Sequence, residues 1–348
     1  MRILGIDTTC DDTGVGIVED GTRILSNVIA SQHASHERYG GIVPVIAARQ
    51  HVRNVNLIVE AALREAGCGF RDLDAVAVTN EQGLLLSLVV GVAAAKSIAL
   101  ALDLPLVGLH HIEGHVYSNL VEHGERIGFP FLCLTVAGGH TLILKVEGHG
   151  RYALLGHTRD DAAGEAYDKI ARRLGLGYPG GPVIDRLAND GDPAAFRFPR
   201  PLLHEEHFEL SFSGLKSSVL RTIEKLEAAG EPVPVEDLCA SFQQAVVDVL
   251  VGKTLRVAEA EGIDTITVAG GVALNSRLRA DLRKAADEKG LQLYHPRPGL
   301  CVDNGAMIAG AAYWLHRDRG ASPLTIDAVA NAPRGALGVR YKHATKYR

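Results

Sequence analysis

Two periods of apolar and polar positions run along the chain. Short apolar or alternating stretches mark strands at 2–6, 15–18, 23–29, 75–79 and 106–109, while apolar residues at helical spacing mark helices over 45–65 and 84–102. The order is β-β-β-α-β-α-β, with a polar turn over 7–14 between the first two strands. A similar outline returns later. Strands at 131–136, 142–146 and 152–157 surround a tight turn at 137–141, and a helix over 239–261, a strand at 265–269, a helix to 289 and a strand at 292–295 follow. A small-residue stretch from 301 opens a last helix running to Trp314, and 199–212, rich in Pro, His and Phe, reads as irregular chain. Two α/β halves that each open on a turn between strands predict a duplicated unit with a cleft between the copies. The most apolar window, 84–102, contains Lys96 and Ser97 and reads as a buried helix rather than a membrane span.

Composition narrows the class. At 348 residues, 47% apolar and 22% charged, the chain has the make-up of a two-domain globular protein with sizeable cores. A formal charge of −5 argues against a surface that is basic all round, but leaves room for local patches. One such patch is the stretch 334–348, where Arg334, Arg340, Lys342, Lys346 and Arg348 meet no acid; it reads either as a solvated terminus or as a phosphate contact. Cys10, Cys68, Cys133, Cys239 and Cys301 are odd in number and far apart, so they write neither a disulfide framework nor a paired-cysteine zinc site. With no secretory leader pattern before the first strand, the expectation is a cytoplasmic protein that does not enter a membrane.

The candidate chemistry centres on His110-His111-Ile112-Glu113-Gly114-His115. Residues four apart share a helix face, so His111 and His115 suit one ion, with a third ligand from elsewhere; the alternative is a pair of ordinary histidines at a helix start. A metallopeptidase helix needs Glu directly after its first His. Glu113 is two residues beyond His111, roughly 200° around the helix from it. The 7–14 turn, with Asp11 among its acids, suits phosphate binding or a plain hairpin connection. Asp161, Glu165 and Asp168 are spaced to line one helix face, either to grip ribose hydroxyls or to face solvent. The Gly- and Pro-rich stretch 175–182 allows close approach by a ligand or makes a tight loop, and Asp303 reads as a helix cap.

Jointly these motifs point to one family. Asp-Thr-Thr-Cys-Asp-Asp-Thr, His-His-Ile-Glu-Gly-His, Ala-Gly-Gly-His-Thr, Asp-Asp-Ala-Ala-Gly-Glu-Ala-Tyr-Asp-Lys, Gly-Tyr-Pro-Gly-Gly-Pro, Phe-Ser-Gly-Leu-Lys, Gly-Gly-Val-Ala-Leu-Asn and Cys-Val-Asp-Asn-Gly-Ala-Met stand in the family's order. The chain resembles the bacterial TsaD family, formerly Gcp or YgjD, over nearly its whole length. The resemblance implies an α/β fold of the actin, Hsp70 and sugar-kinase (ASKHA) type, with two duplicated lobes around a nucleotide cleft. The lobes would be 1–127, completed by about 305–348, and 128–304. It implies transfer of a threonylcarbamoyl group from threonylcarbamoyl-AMP to N6 of the adenosine 3′ of the anticodon in ANN-reading tRNAs. Metal ligands would be His111, His115 and Asp303, holding one divalent ion, Fe2+ first and Zn2+ second. Asp11 is the candidate for handling the amine proton or ordering water. Thr135, Val136, Ala137, Gly138, Gly139, Asp168, Gly181, Asp185 and Asn275 would meet the substrate, with ATP or ADP a further ligand. Implied partners are tRNA, TsaB as a pseudo-dimer, TsaE, and a TsaC-type enzyme that makes the adenylate.

The chain departs from the family pattern at several places. The family usually has Glu-Thr-Ser-Cys-Asp-Glu-Thr at the first turn, Pro-Glu at Pro44-Val45, Ser at Ala137, and Gly-Pro-Gly-Leu where this chain has Asn80-Glu81-Gln82-Gly83-Leu84. Altered nucleotide handling or partner choice is therefore an alternative, as is a non-catalytic paralogue or an ATPase or kinase of the same fold.

Overall fold

The computed structural model describes residues 1–331 and the backbone of Arg340–Tyr341; the basic stretch 334–348 otherwise lies outside the described residues. In chain order the elements are β1 (Arg2–Asp7), β2 (Asp12–Glu19), β3 (Arg23–Ser31), α1 (His33–His36), α2 (Pro44–Ala66), β4 (Ala75–Glu81), α3 (Leu85–Leu102), β5 (Leu106–His110) and α4 (His111–His123). Then come β6 (Phe131–Val136), β7 (Thr141–Gly148), β8 (Arg151–His157), α5 (Ala163–Arg173), α6 (Gly180–Ala188), α7 (Ser213–Ala228) and α8 (Val235–Glu261). The last are β9 (Thr265–Ala269), α9 (Ser276–Lys289), β10 (Gln292–Tyr294), α10 (Pro298–Cys301), α11 (Gly305–Arg319) and β11 (Arg340–Tyr341). The chain divides into two compact units. One holds Met1–Phe129, Val146–Tyr152 and, among the described residues, 295–331; the other holds Pro130–Lys145 and Ala153–Tyr294.

The first unit is a five-stranded sheet in the order β3-β2-β1-β4-β5. β1, β2 and β3 are antiparallel neighbours, whereas β4 and β5 continue from β1 in parallel, so the carboxyl ends of β1, β4 and β5 lie together. One face packs on α2 and α3. Leu4, Ile6, Val15, Ile17, Val76 and Val78 form a core there with Val55 and Val59 of α2 and Val92 and Ala95 of α3. α2 earns its helix by a Pro in the first turn, a buried stripe of Ala47, His51, Val55, Val59 and Ala62 at helical spacing, and Gly67 in a left-handed cap. The other sheet face receives α11 at backbone contact. A Cβ on Gly5 would stand 2.3 Å from the Gly305 carbonyl, and one on Gly16 2.4 Å from the Ala306 nitrogen, so only glycine lets the helix lie this close. This contact sets the start of α11, and with it Asp303, against β1 and β2.

α3 is apolar on all sides, and it is the one described helix long and apolar enough to cross a membrane. Ser87, Leu88, Gly91, Val92, Ala95 and Ala99 are buried, while Leu85, Leu86, Val89 and Leu100 are exposed. A helix fully buried by its own chain is thus not what forms; one side remains open.

Two local expectations change. β4 runs through Asn80 and Glu81 instead of ending before a loop, because Glu81 pairs with His110 of β5 and bridges to Val329. The loop is Gln82-Gly83, with Gln82 left-handed at φ 69°. The helix expected from residue 301 breaks in two. α10 ends at Cys301, an extended stretch over 302–304 follows, and α11 extends past Trp314 to Arg319.

A six-stranded sheet has the order β10-β9-β6-β7-β8-β11. β6, β9 and β10 are parallel, so the turns after β6 and β9 emerge at the same sheet end. α8 starts at Val235, earlier than the pattern from residue 239 predicts, with Glu236 and Asp237 in its first turn where carboxylates favour the helix dipole. Residues 199–209 are irregular, tied down by Lys253 and Arg256 of α8, which donate to carbonyls of Leu203, Glu205 and His207.

Candidate functional site

α4 begins where β5 ends. His110 is its N-cap: the ring Nδ1 accepts from the Ile112 N–H at 3.1 Å, and the Glu113 carboxylate accepts from the His110 N–H at 3.3 Å. Burial, with His111 alongside, pushes the His110 pKa down to about 3, so the ring is the neutral acceptor its cap needs. The first turn of α4 then carries His111 and His115 inward, 4% and 0% exposed, with ring centroids 4.6 Å apart.

Asp303 comes to them from the extended stretch before α11. It is not the cap of that helix, as its position in sequence suggests. Asn304 takes the cap, its Oδ1 accepting from the Met307 N–H at 2.9 Å, which leaves the Asp303 carboxylate free to turn toward α4. Asp303 Oδ1 lies 3.4 Å from His111 Nε2 and 3.3 Å from His115 Nε2. One ligand atom from each of the three residues falls within 4.8 Å of the others, a group able to hold a metal ion. The fit has a second sign: His115 is fully buried, its Nδ1 has no hydrogen-bond partner among the described residues, and its Nε2 has only the Asp303 carboxylate beside it, so a cation between that ring and that carboxylate would satisfy both. Burial disfavours charge on His111 and Asp303, yet each is shifted toward its charged form. Burial lowers the His111 pKa, but Asp303 and Asp7 outweigh it and raise it; burial raises that of Asp303, but His111 and His115 draw it down. The pocket therefore favours positive charge beside its carboxylates.

Glu113, between the two histidines, points elsewhere. Its second oxygen accepts from Arg319 at 3.3 Å, so it is an ion-paired cap and not a base facing the ligand pair, as a metallopeptidase would require. Asp11, in the turn between β1 and β2, is 6% exposed, and its pKa is raised, by burial first and by Asp303 as well, against the opposing effect of His33. His33 Nε2 stands 3.7 Å from its Oδ2.

In the second unit, Thr135 and Val136 end β6, and Ala137, Gly138 and Gly139 make the following turn. The start of α5 presses on that turn, since a Cβ on Gly164 would stand 2.6 Å from the Ala137 carbonyl. Asp168 Oδ1 accepts from the Gly180 N–H at 2.8 Å and so fixes the start of α6, where Gly181 follows. Asp185 of α6 accepts from the Ser276 hydroxyl at 2.8 Å and from its N–H at 3.0 Å. Asn275 caps α9 through Leu278 N–H at 2.9 Å and donates to Gln243 at 2.7 Å. The turns after β6 and β9 and the first turn of α6 thus gather in one unit. The expected carboxylate row does not form. Asp161 precedes α5, whose cap is Ala162, and is held by Lys169 and Lys216, while Glu165 pairs with Lys169.

Three glycines there have no reason in the chain itself. A Cβ on Gly138, Gly139 or Gly181 would meet nothing within 4 Å, and none of the three has a positive φ. Open space beside bare backbone suits close approach by a ligand.

The profile of the family described as "TsaD: tRNA N6-adenosine threonylcarbamoyltransferase" matches residues 23–310. The chain belongs to the TsaD family. Relatives named tRNA N6-adenosine threonylcarbamoyltransferase include one from Geobacter metallireducens, 49% identical over 98% of this chain and 99% of its own, and one from Bacillus cereus, 50% identical over 89% and 90%. Members of the TsaD family are transferases, and so is this chain. Solved structures agree on the ASKHA fold. Full-length HypF in its phosphate- and nucleotide-bound form aligns with TM-score 0.62 at 14% identity over 92% of this chain, which spans 47% of that protein. Component A of Acidaminococcus fermentans (R)-2-hydroxyglutaryl-CoA dehydratase aligns with TM-score 0.55 at 15% identity, covering 91% of this chain and 98% of that one. Sequence reasoning passed over the link from Asp7 to His111 Nδ1 and the hydroxyls of Thr9 and Thr79 that donate to Asp7; the only signal was an acid two residues before a Thr at a strand end.

Proposed function

We propose that this chain moves a threonylcarbamoyl group from threonylcarbamoyl-AMP to N6 of the adenosine 3′ of the anticodon in ANN-reading tRNAs. The observation that carries the reading is the convergence of the buried His111 and His115 imidazoles on the Asp303 carboxylate, in a chain of the TsaD family. These three residues would hold one divalent ion, Fe2+ first and Zn2+ second, since two imidazoles and a carboxylate suit both. Such an ion supplies Lewis acidity toward a phosphate or an acyl oxygen.

The residues of the chain do the rest. In the second unit the bare backbone of Gly138 and Gly139 would offer N–H groups to phosphate or to the developing oxyanion, and Thr135, Val136, Ala137, Asp168, Gly181, Asp185 and Asn275 would line the adenylate. The adenine nitrogen attacks the carbamoyl carbon, the new C–N bond forms, the C–O bond to phosphate breaks, and AMP leaves with the electron pair. Asp11, a carboxylate with a raised pKa, takes the N6 proton or orders the water that does. ATP or ADP is a further ligand of this fold.

For partners we infer TsaB, TsaE and a TsaC-type enzyme that makes the adenylate. Support for a protein partner comes from the exposed Leu85, Leu86 and Val89 of α3, beside exposed Val45 and Val52 of α2. A cytoplasmic location suits a tRNA substrate and five cysteines that form no disulfide. The test supplies unmodified tRNA, the three partners, ATP, threonine and bicarbonate, and looks for threonylcarbamoyl-adenosine by mass spectrometry. Product is expected. Its absence with this chain, alongside product with an ordinary family member, overturns the proposal.

A further inference from the structure

We propose that Asp7 is a positioning residue of the metal centre: its carboxylate holds the His111 ring so that Nδ1 faces the protein and Nε2 faces the ion. The inference rests on the metal reading above. Asp7 ends β1 and is fully buried. Four contacts, from the β1–β2 turn, β4 and α4, use up its two oxygens. Oδ1 accepts from the Thr9 N–H at 2.9 Å and from its hydroxyl at 2.7 Å; Oδ2 accepts from the Thr79 hydroxyl of β4 at 3.2 Å and lies 3.3 Å from His111 Nδ1. A carboxylate held this way has no lone pair left over for an ion, and it is not among the three residues whose ligand atoms converge.

The consequence for His111 is chemical. A carboxylate can only accept, so the His111 nitrogen that faces it carries the hydrogen. The other nitrogen, Nε2, lies 3.4 Å from Asp303 Oδ1, and it is there that a bound cation would displace the ring's second proton and meet its lone pair. The pair of contacts fixes both tautomer and ring angle, the arrangement in which an outer carboxylate orients a ligating imidazole and raises its basicity. His115 has no such support among the described residues. The centre is therefore asymmetric, with one imidazole set in place by β1 and β4 and the other carried by α4 alone. Thr9 ties the third ligand into the same group: its hydroxyl, 2.7 Å from Asp7 Oδ1, is also 3.3 Å from Asp303 Oδ2.

The test uses zinc as the probe on the full chain, with affinity read by competition against a chelator, and long-range 1H–15N spectra of the zinc-loaded protein. In the unaltered chain His111 is expected as a single Nδ1–H tautomer with zinc on Nε2. Asp7→Ala should weaken zinc by about 10–100-fold. Asp7→Asn keeps an acceptor oxygen at the same reach, so it should lose less and keep the tautomer; Thr79→Val, which only removes a donor to Asp7, should lose least and guards against a folding defect in the alanine variant. Zinc bound as tightly by both Asp7 variants as by the unaltered chain, or through His111 Nδ1, overturns the proposal. So does a loss in Asp7→Asn as complete as in Asp303→Ala, which makes Asp7 a ligand. If the unaltered chain and His115→Ala bind zinc equally poorly, the metal reading itself fails, and this inference with it.

Discussion

At the scale of single residues, the same amino acid serves opposite ends in this chain. Gly5 and Gly16 are demanded by the fold, because α11 passes at backbone contact, whereas Gly138 and Gly181 border open space. Gly16→Ala should cost about 1–3 kcal/mol, since the added methyl meets backbone that must shift, and it should weaken zinc binding by moving Asp303. Gly138→Ala should leave stability within about 0.5 kcal/mol, yet lower acyl transfer roughly tenfold or more by displacing the substrate. Thermal melts beside turnover separate the two; a large loss of stability in Gly138→Ala would show that the glycine serves the chain and not a ligand. Of the residues read from the sequence, His111 and His115 were legible because helical spacing puts them on one face. Asp303 read locally as a cap and as a third ligand only through the family resemblance, since nothing local says that Asn304 takes the cap. Asp7 was hidden altogether: its partners, Thr79 and His111, are far along the chain and meet it only through the parallel strands.

At the scale of elements, caps decide where side chains point. Asn304→Ala should destabilise the chain by about 1 kcal/mol through the lost cap. Asp303 would then turn to cap the helix in its place, so zinc affinity should fall in the same variant; unchanged affinity in a chelator competition would separate the cap from the centre. α8 supplies a pH-dependent case. Lys253 is buried and donates to the carbonyls of Glu205 and His207, and burial, with Arg256 nearby, pushes its pKa down from 10.5 to about 8. The folded chain thus releases this proton at lower pH than the unfolded chain does. Between about pH 8 and pH 10.5 the unfolded state binds more protons, so Lys253 should favour folding increasingly as pH rises. Denaturant melts of the unaltered chain and Lys253→Met should show their stability difference shift toward the unaltered chain over that window; a constant difference would show an ordinary lysine. Helices and strands were legible wherever their periods ran long. The carboxylate row at Asp161, Glu165 and Asp168 misled because a helical spacing says nothing about where the helix begins, and α5 begins after Asp161.

At the scale of the whole molecule, α3 is the element that the apolar pattern described only in part. Its composition promised burial, but Leu85, Leu86 and Val89 are 50%, 48% and 46% exposed. An exposed apolar patch of this kind suits a binding interface. If the proposed partner TsaB docks here, Leu86→Asp should weaken its binding at least tenfold by calorimetry while leaving zinc stoichiometry unchanged, because His111, His115 and Asp303 stand on other elements; full binding would move the partner surface elsewhere. By itself the sequence determined the class of fold, the order of its elements, the family, and the histidine pair. Each of these is written in local periods or contiguous motifs, where neighbours in the chain are neighbours in space. Only the tertiary structure shows how Asp303 reaches the pair while Asn304 caps α11, which carboxylate holds the first imidazole, and which glycines face open space. Those relations join residues 7, 79, 111 and 303, and they exist only once parallel strands and close backbone packing bring distant parts of the chain within hydrogen-bonding reach.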